Sequence, residues 1–462
     1  MKISFHGAAK NVTGSCHLLE CAGRKILIDC GMYQGGREIV SENSEPFGFD
    51  PQEIDYLLLT HAHLDHCGRI PLLAKRGFNG EIITTEATVE LARLVMMDSA
   101  GLQEEEARYQ QRKAQRRGKS LKEIEPLYTT LDVFDSLEFF GRRADYNKGI
   151  ELAPDIKITF FNAGHILGAA SILFELEENG RRHRLLFSGD LGYSGRAILR
   201  DPTPPPVVDT VVMETTYGDR LHKQLQPSIE ELYDAINDTM RRGGNVIIPT
   251  FALERTQEIL YYLREGVDNG LIERYANVFL DSPMAISATR IFKRHPECYN
   301  AETLKLSKDG DDPFDLPGLR FTRETAESMA INQINGGAII MAGSGMCTGG
   351  RVRHHLRHNL WRNNCSVIFV GFAAHGTLAR RIVDGAKQVK IFGEEIPVRA
   401  SIYTIGGFSA HGDQAELLNW QKVAKPKRTF LVHGEEEAMN IFAEKLSDTE
   451  VIMPELHQVF EL

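Results

Sequence analysis

Short apolar runs, each closed by a glycine or a polar turn, punctuate the chain from end to end. The clearest are RKILIDCG (24–31), IDYLLLTH (54–61), IKITFFNAGH (156–165), RLLFSGD (184–190), DTVVMETTYG (209–218) and RTFLVHG (428–434). Their length and their Leu, Ile, Val and Phe content predict buried strands. Amphipathic stretches lie between several of them, as in HCGRIPLLAKRG (66–77) and EELYDAINDTMRRGG (230–244). Strands alternating with helices predict an α/β protein.

DPTPPPVVD (201–209) interrupts this rhythm with four prolines, which forbid helix and discourage strand pairing, so it reads as a linker. Beyond it come NVIIPTFALERTQEILYYL, NVFLDSPMAISATRIFKRH, GGAIIMAGSGMCTGGRVRHHL and CSVIFVGFAAHGTLARRIVDG. Each has an apolar strand, a turn of small residues and a helix, the grammar of a second, Rossmann-like domain. RYQQRKAQRRGKSLKE (108–123) is a basic run, read as a solvated helix face.

Composition narrows the choice of function. With 462 residues, 42% of them hydrophobic, the chain can bury two or three cores. A net charge of −10 argues against a coat protein for nucleic acid, but not against an enzyme that holds a polyanion through metal ions. No apolar run reaches the length of a membrane span, and MKISFHGAAK has no signal-peptide pattern. Seven cysteines without paired spacing suit a reducing compartment, so a cytoplasmic protein is expected.

The densest chemistry is THAHLDHCGR (60–69). Histidine and carboxylate are the side chains that bind borderline first-row metals, zinc above all. His61 and His63, two apart in extended chain beyond a strand, project to one side. Asp65 and His66 follow at the expected start of a helix and can turn toward a second position. Further donors stand just past other predicted strands: His165 after ITFFNAG, Asp190 after LLFSG and His433 after TFLV. That is where open α/β folds place their sites. Asp190, with two oxygens, is the candidate bridge between two cations.

This set resembles the metallo-β-lactamase superfamily: Asp29 in ILIDCG, HAHLDH, the His of NAGHILGA, the Asp of FSGDLG, and the start GAAKNVTGSCHLLE (7–20). The resemblance implies an αββα sandwich. It also implies one metal on His61, His63 and His165, another on Asp65 and His66, and Asp190 between them. Asp29 would orient a ligand. Two divalent ions, zinc by preference with manganese or iron as alternatives, would share an activated hydroxide.

METTYGDR (213–220), GGFSAHGD (406–413) and FLVHGEEE (430–437) resemble the extra motifs of the β-CASP branch, nucleases of RNA processing and DNA repair. The likeness extends through PTFALERTQE, LDSPMA, AGSGMCTGGR and GTLARRI. It implies a nuclease domain of residues 1–212 and 403–462, with a Rossmann-like β-CASP cap of 213–402 inserted. It also adds His433 to the second metal and makes His411 the general acid, paired with Glu214, in a site that includes Asp65. In this branch a histidine at the last motif goes with RNA-processing members, so His433 points to RNA.

AGSGMCTGGR has the glycine spacing of a phosphate loop, but Arg351-Val352 replaces Lys-Ser/Thr, so no nucleotide cofactor is expected. Its backbone around Ser344 and Gly345 can still meet an RNA phosphate. Arg351, Arg255 and Thr377 are further candidates for contacts to the strand. The expected activity is hydrolysis of single-stranded RNA to 5′-phosphate and 3′-hydroxyl ends, with internal cleavage favoured and cleavage from a 5′ end as the alternative. A homodimer is compatible with the sequence. Two other readings stay open: a lactone or thioester hydrolase of the same fold, and a scaffold without activity.

Overall fold

The computed structural model describes residues 1–116, 124–273, 277–371 and 373–462. The chain divides into two compact units. The first comprises Met1–Gly195, Arg200–Leu221 and His411–Leu462; the second comprises Arg196–Leu199 and His222–Ala410.

Two seven-stranded sheets build the first unit. In one, Lys2–Gly7, Cys16–Cys21 and Arg24–Ile28 form an antiparallel meander, continued in parallel by Tyr56–Leu58, Glu81–Thr84 and Phe140–Arg143. Val459–Glu461 pairs with the other side of the first strand. In the second sheet Gly149–Ala153, Ile156–Asn162, Ala170–Glu178 and Arg181–Phe187 are antiparallel neighbours. Thr210–Glu214, Arg428–Val432 and Glu450–Ile452 extend it in parallel.

Alternation along the strands decides how the sheets meet. Ile3, Phe5, Leu19, Ile26 and Ile28 of the first sheet pack into one core with Ile158, Phe160, Ile172, Phe174 and Phe187 of the second. The opposite face of the second sheet, through Leu186, Val211, Met213 and Leu431, is covered by the helices Gln414–Ala424 and Glu436–Ala443. Ile70–Lys75, Glu86–Arg116 and Thr130–Leu137 are the helices that accompany the first sheet. This is the αββα sandwich. The basic run from Arg108 continues the helix to Arg116 with Arg112 and Lys113 exposed; residues 117–123 lie outside the described residues.

The second unit is a six-stranded sheet whose paired strands are all parallel, in the order Leu319–Phe321, Asn277–Leu280, Ala338–Ala342, Val246–Pro249, Ser366–Val370, Ser401–Ile405. Helices Val352–Asn359 and Leu378–Val383 pack on it around Ile247, Val367 and Phe369.

The unit borders differ from residues 212 and 402, and strand pairing gives the reason. Thr210–Glu214 lies between two strands of the first unit, which keeps the METTYG segment there. Ser401–Ile405 pairs with Ser366–Val370, which keeps it in the second unit. The proline-rich segment is coil, as four prolines dictate, but it belongs to the first unit rather than joining the two.

Candidate metal centre

Every metal-binding candidate falls in the first unit, beyond the end of a strand: Asp65 and His66 in the short helix Leu64–Cys67, the others on turns. The turns are held there by backbone contacts. Asp65 O accepts from Ser15 N at 2.8 Å, His66 O from Cys30 N at 2.8 Å, and Leu64 O from Met32 N at 2.9 Å. That clamp needs a glycine at 31, because a Cβ there would lie 1.6 Å from Asp65 O. Asp29 (φ 60°) and His433 (φ 49°) adopt the left-handed conformation directly after their strands. Such backbone costs about 1 kcal/mol or more for a residue other than glycine and persists only where surrounding contacts enforce it. Here Asp29 N donates to Leu58 O at 3.0 Å and His433 N to Ala8 O at 2.8 Å.

Two clusters result. In the first, His63 Nδ1 lies 3.1 Å from His61 Nε2 and 3.0 Å from His165 Nε2. Both Nε2 atoms are 3.5 Å from Asp190 Oδ2. In the second, His66 Nε2 is 3.3 Å from His433 Nε2 and 3.4 Å from Asp190 Oδ1, while Asp65 Oδ2 is 3.5 Å from His433 Nε2. Asp190 faces both clusters. His61, His66, His165, Asp190 and His433 are buried; His63 and Asp65 are partly exposed.

The donor set fits cations. Ligands held at zinc distances in a tetrahedron stand about 3.3 Å apart, close to the separations above. Asp190 Oδ1 is buried and accepts no hydrogen bond. A carboxylate oxygen left so is costly unless a positive charge meets it.

Neighbouring side chains fix which nitrogen each ring offers. Asp29 accepts from Thr60 N at 2.8 Å and from the Thr60 hydroxyl at 2.9 Å, and takes His66 Nδ1–H at 2.7 Å. The Thr60 hydroxyl, having given its proton to Asp29, accepts from His61 Nδ1, 3.1 Å away. Thr216 does the same for His433 Nδ1 at 3.1 Å while donating to His433 O. The Nε2 lone pairs of His61, His66 and His433 are thereby left facing the clusters. Thr60 and Thr216 stand inside the quoted motifs, yet the sequence reading passed over them. Thr60 adjoins His61 in the chain, but Thr216 reaches His433 only through the fold.

Electrostatics separate the two clusters. Burial pushes the His61 imidazole well below its usual pKa and His63 down to about 4, so both are neutral donors at pH 7. At His66 and His433 burial acts the same way, but Asp190 with Asp29 or Asp65 outweighs it and raises both. Asp190 resists its own burial and stays well below the carboxylate range because His433, His66 and His61 surround it.

Beside the clusters, His411 Nδ1 lies 3.0 Å from Glu214 Oε2 and 4.0 Å from Asp190 Oδ2. Glu214 also accepts from Leu191 N at 2.5 Å, and Gly192 forms a β-bridge with His411. Burial lowers the His411 pKa, but the Glu214 carboxylate more than reverses this and brings it up to about 9. Its ring keeps some solvent exposure.

The candidates for strand contact lie in the second unit. Arg255 is buried and paired with Glu258. The Arg351 guanidinium donates to Asp281 at 2.7 Å and to the carbonyls of Thr322 and Arg323. Thr377 caps the helix Leu378–Val383 by accepting from Arg380 N. Ser344 closes its own loop through Gly349, and Gly345 stands against the Phe251 ring. These are internal engagements, which residue type and spacing did not reveal.

Comparison with known proteins bears on the same residues. Residues 10–250 match the model of the metallo-beta-lactamase superfamily, 256–382 that of the Beta-Casp domain, and 395–454 that of a Zn-dependent metallo-hydrolase RNA specificity domain. The chain is a β-CASP member of the metallo-β-lactamase superfamily. Among its β-CASP relatives is Ribonuclease TTHA0252 of Thermus thermophilus, 40% identical over 95% of this chain and 94% of that one. Transcription termination factor FttA of Methanocaldococcus jannaschii is 31% identical over 96% of this chain and 68% of its own length. An RNase J-like protein of the same archaeon is 30% identical over 94% and 92%. A crystal structure of a protein of unknown function from Enterococcus faecalis shares the fold, with a TM-score of 0.54 over 100% of this chain and 99% of that one, at 12% identity.

Proposed function

We propose that this β-CASP protein is a metal-dependent ribonuclease that hydrolyses phosphodiester bonds of single-stranded RNA, leaving 5′-phosphate and 3′-hydroxyl ends. The observation that carries the reading is the convergence of His61, His63, His165, Asp65, His66, His433 and the unsatisfied Asp190 on two adjacent points. In this reading the first three and Asp190 hold one divalent ion, the next three and Asp190 a second, and zinc is the natural occupant of so nitrogen-rich a set. When bound, such ions supply Lewis acidity toward phosphate oxygens and an activated nucleophile.

The protein's own contribution is to place protons and charges. Asp29, Thr60 and Thr216 fix the imidazole tautomers. His411, kept protonated by Glu214, holds a proton at a partly exposed position 4.0 Å from Asp190. A leaving 3′ oxygen needs a proton from such a donor. The loop of Ser344 and Gly345 offers backbone N–H groups to phosphates along the strand, with Arg255, Arg351 and Thr377 bracing the loops and helix starts around it. The names of the relatives, ribonuclease among them, favour RNA over a lactone or thioester. Cleavage within the strand is the expected mode. No described helix is long and apolar enough to cross a membrane, and all seven cysteines are free buried thiols. The cytoplasm is the proposed compartment.

Elemental analysis of the purified protein, combined with product mapping on RNA labelled at either end, tests the reading. Two zinc equivalents and internal cuts with 5′-phosphate ends are expected. Turnover of a lactone or thioester with intact RNA would overturn it.

A further inference from the structure

In the second unit the strands Val246–Pro249 and Ala338–Ala342 are parallel neighbours, with Pro249 opposite Ala342. The chain leaves the first toward one edge of the sheet, to Asn277–Leu280. It leaves the second toward the other edge, to Ser366–Val370. Such a reversal opens a crevice at the carboxyl ends of the two strands, where open α/β sheets bind ligands. Phe251 follows the first strand, and the glycine-rich turn of residues 343–350 follows the second.

Phe251 is 49% exposed, and neither an aromatic ring nor a cation packs on it among the described residues. Its position is nevertheless fixed. The Thr256 hydroxyl donates to Phe251 O at 2.6 Å, and the Gln257 amide to Ala252 O at 3.1 Å. The ring lies against Gly345, where a Cβ would come within 2.8 Å of it. The Gly345 backbone is not left-handed, so only the ring demands a glycine there. Along the same turn the N–H groups of Gly345, Met346, Thr348 and Gly350 have no acceptor among the described residues.

A half-bare aromatic ring beside a series of free N–H groups specifies a ligand with a π face next to an anion. We propose that Phe251 is a stacking platform for one unpaired RNA base, whose flanking phosphate meets the backbone of residues 345–350. The inference rests on the ribonuclease reading above and adds a cause for selecting single strands. A base inside a duplex has both faces covered by its stacked neighbours and cannot lie on a protein ring. Every base has a π face, so the platform accepts all four. A free nucleotide carries the same two groups, but it lacks the neighbouring contacts of a strand.

Fluorescence anisotropy with the metal-loaded, full-length protein tests the platform, using a labelled phosphorothioate oligoribonucleotide that resists cleavage. Phe251→Ala should weaken binding about 10-fold or more, and Phe251→Leu, which keeps apolar bulk, by as much. Phe251→Trp should stay within about 3-fold of the parent. An abasic position moved along the strand should cost the parent about 10-fold at one place and cost Phe251→Ala nothing there. The loss in Phe251→Ala should be confined to single strands, with affinity for a blunt RNA duplex moved by less than about 2-fold. Full affinity in Phe251→Ala or Phe251→Leu, or an abasic penalty that survives Phe251→Ala, would overturn the proposal. Displacement of the strand by AMP at equal concentration would assign the site to free nucleotide and overturn it as well. The readout is binding to a strand that is not cut, so this failure is separable from failure of the ribonuclease reading, which cleavage of ordinary RNA decides.

Discussion

Asp190 in the first unit and Asp281 in the second are both buried aspartates just past a strand, with histidine close by. Asp281 is saturated: Oδ1 accepts from Thr322 and Arg351 at 2.7 Å each, Oδ2 from Ser328 at 2.6 Å and His355 at 2.7 Å. Asp190 faces the imidazoles of His61, His66, His165 and His433, yet its Oδ1 accepts nothing. Residue type is therefore a poor guide to role at a strand end. What distinguishes a site from a brace is whether the surrounding donors already meet the charge.

The contrast can be broken experimentally, beginning where the effect is greatest. Asp190→Asn and His63→Ala should each reduce RNA cleavage by roughly 10³-fold or more, the scale of losing a principal electrostatic stabiliser. Unchanged circular dichroism would show that folding survives. Turnover near the wild-type rate in either variant would remove Asp190 from the centre of the mechanism. His411→Ala should cost about 10²-fold in kcat, as loss of a general acid does, while metal content stays at two equivalents. Asp29→Asn removes the carboxylate that orders His66, and should weaken metal affinity about 10–100-fold in a chelator competition.

Asp281→Asn should do the reverse. Stability to urea should fall by about 2–3 kcal/mol, with metal content and cleavage per folded molecule unchanged. Acid offers the gentlest test. Burial favours protonation of Asp281, but the donors from His355, Ser328, Thr322 and Arg351 prevail and hold its pKa at about 2. The carboxyl is thus depressed below its unfolded value, so its stabilisation is complete above about pH 4 and is lost as pH falls toward 2. The variant and the parent should converge in stability across that window.

Much of this was legible in the sequence because it is local. HAHLDH carries four of the donors in six residues, and the others each follow an apolar run that folds as a strand. Their convergence follows from the strand ends meeting at one edge of the sandwich. The same reasoning fails where the partner is remote and of common type. Thr60 next to His61, and Thr216 two residues past Glu214, gain meaning only from tertiary approach. Arg351 and Thr377 have the composition of phosphate contacts, but spacing cannot tell whether a guanidinium or hydroxyl is spent inside its own unit. Four prolines at 202–206 announce irregular chain correctly, yet say nothing about which unit they join.

The strand Arg428–Val432, which carries His433 past its end, and the strand Val459–Glu461, which pairs with Lys2–Gly7, are synthesised more than 200 residues after Asp190. A ribosome partway through this message therefore displays a polypeptide that has six of its seven metal-binding positions before residue 191 but lacks His433. The proposed ribonuclease cannot cut the transcript from which it is being translated until Arg428–Val432 has emerged and joined its sheet. A premature stop between Asp190 and His433 yields a chain that holds six of the seven positions and lacks the histidine that completes the second set.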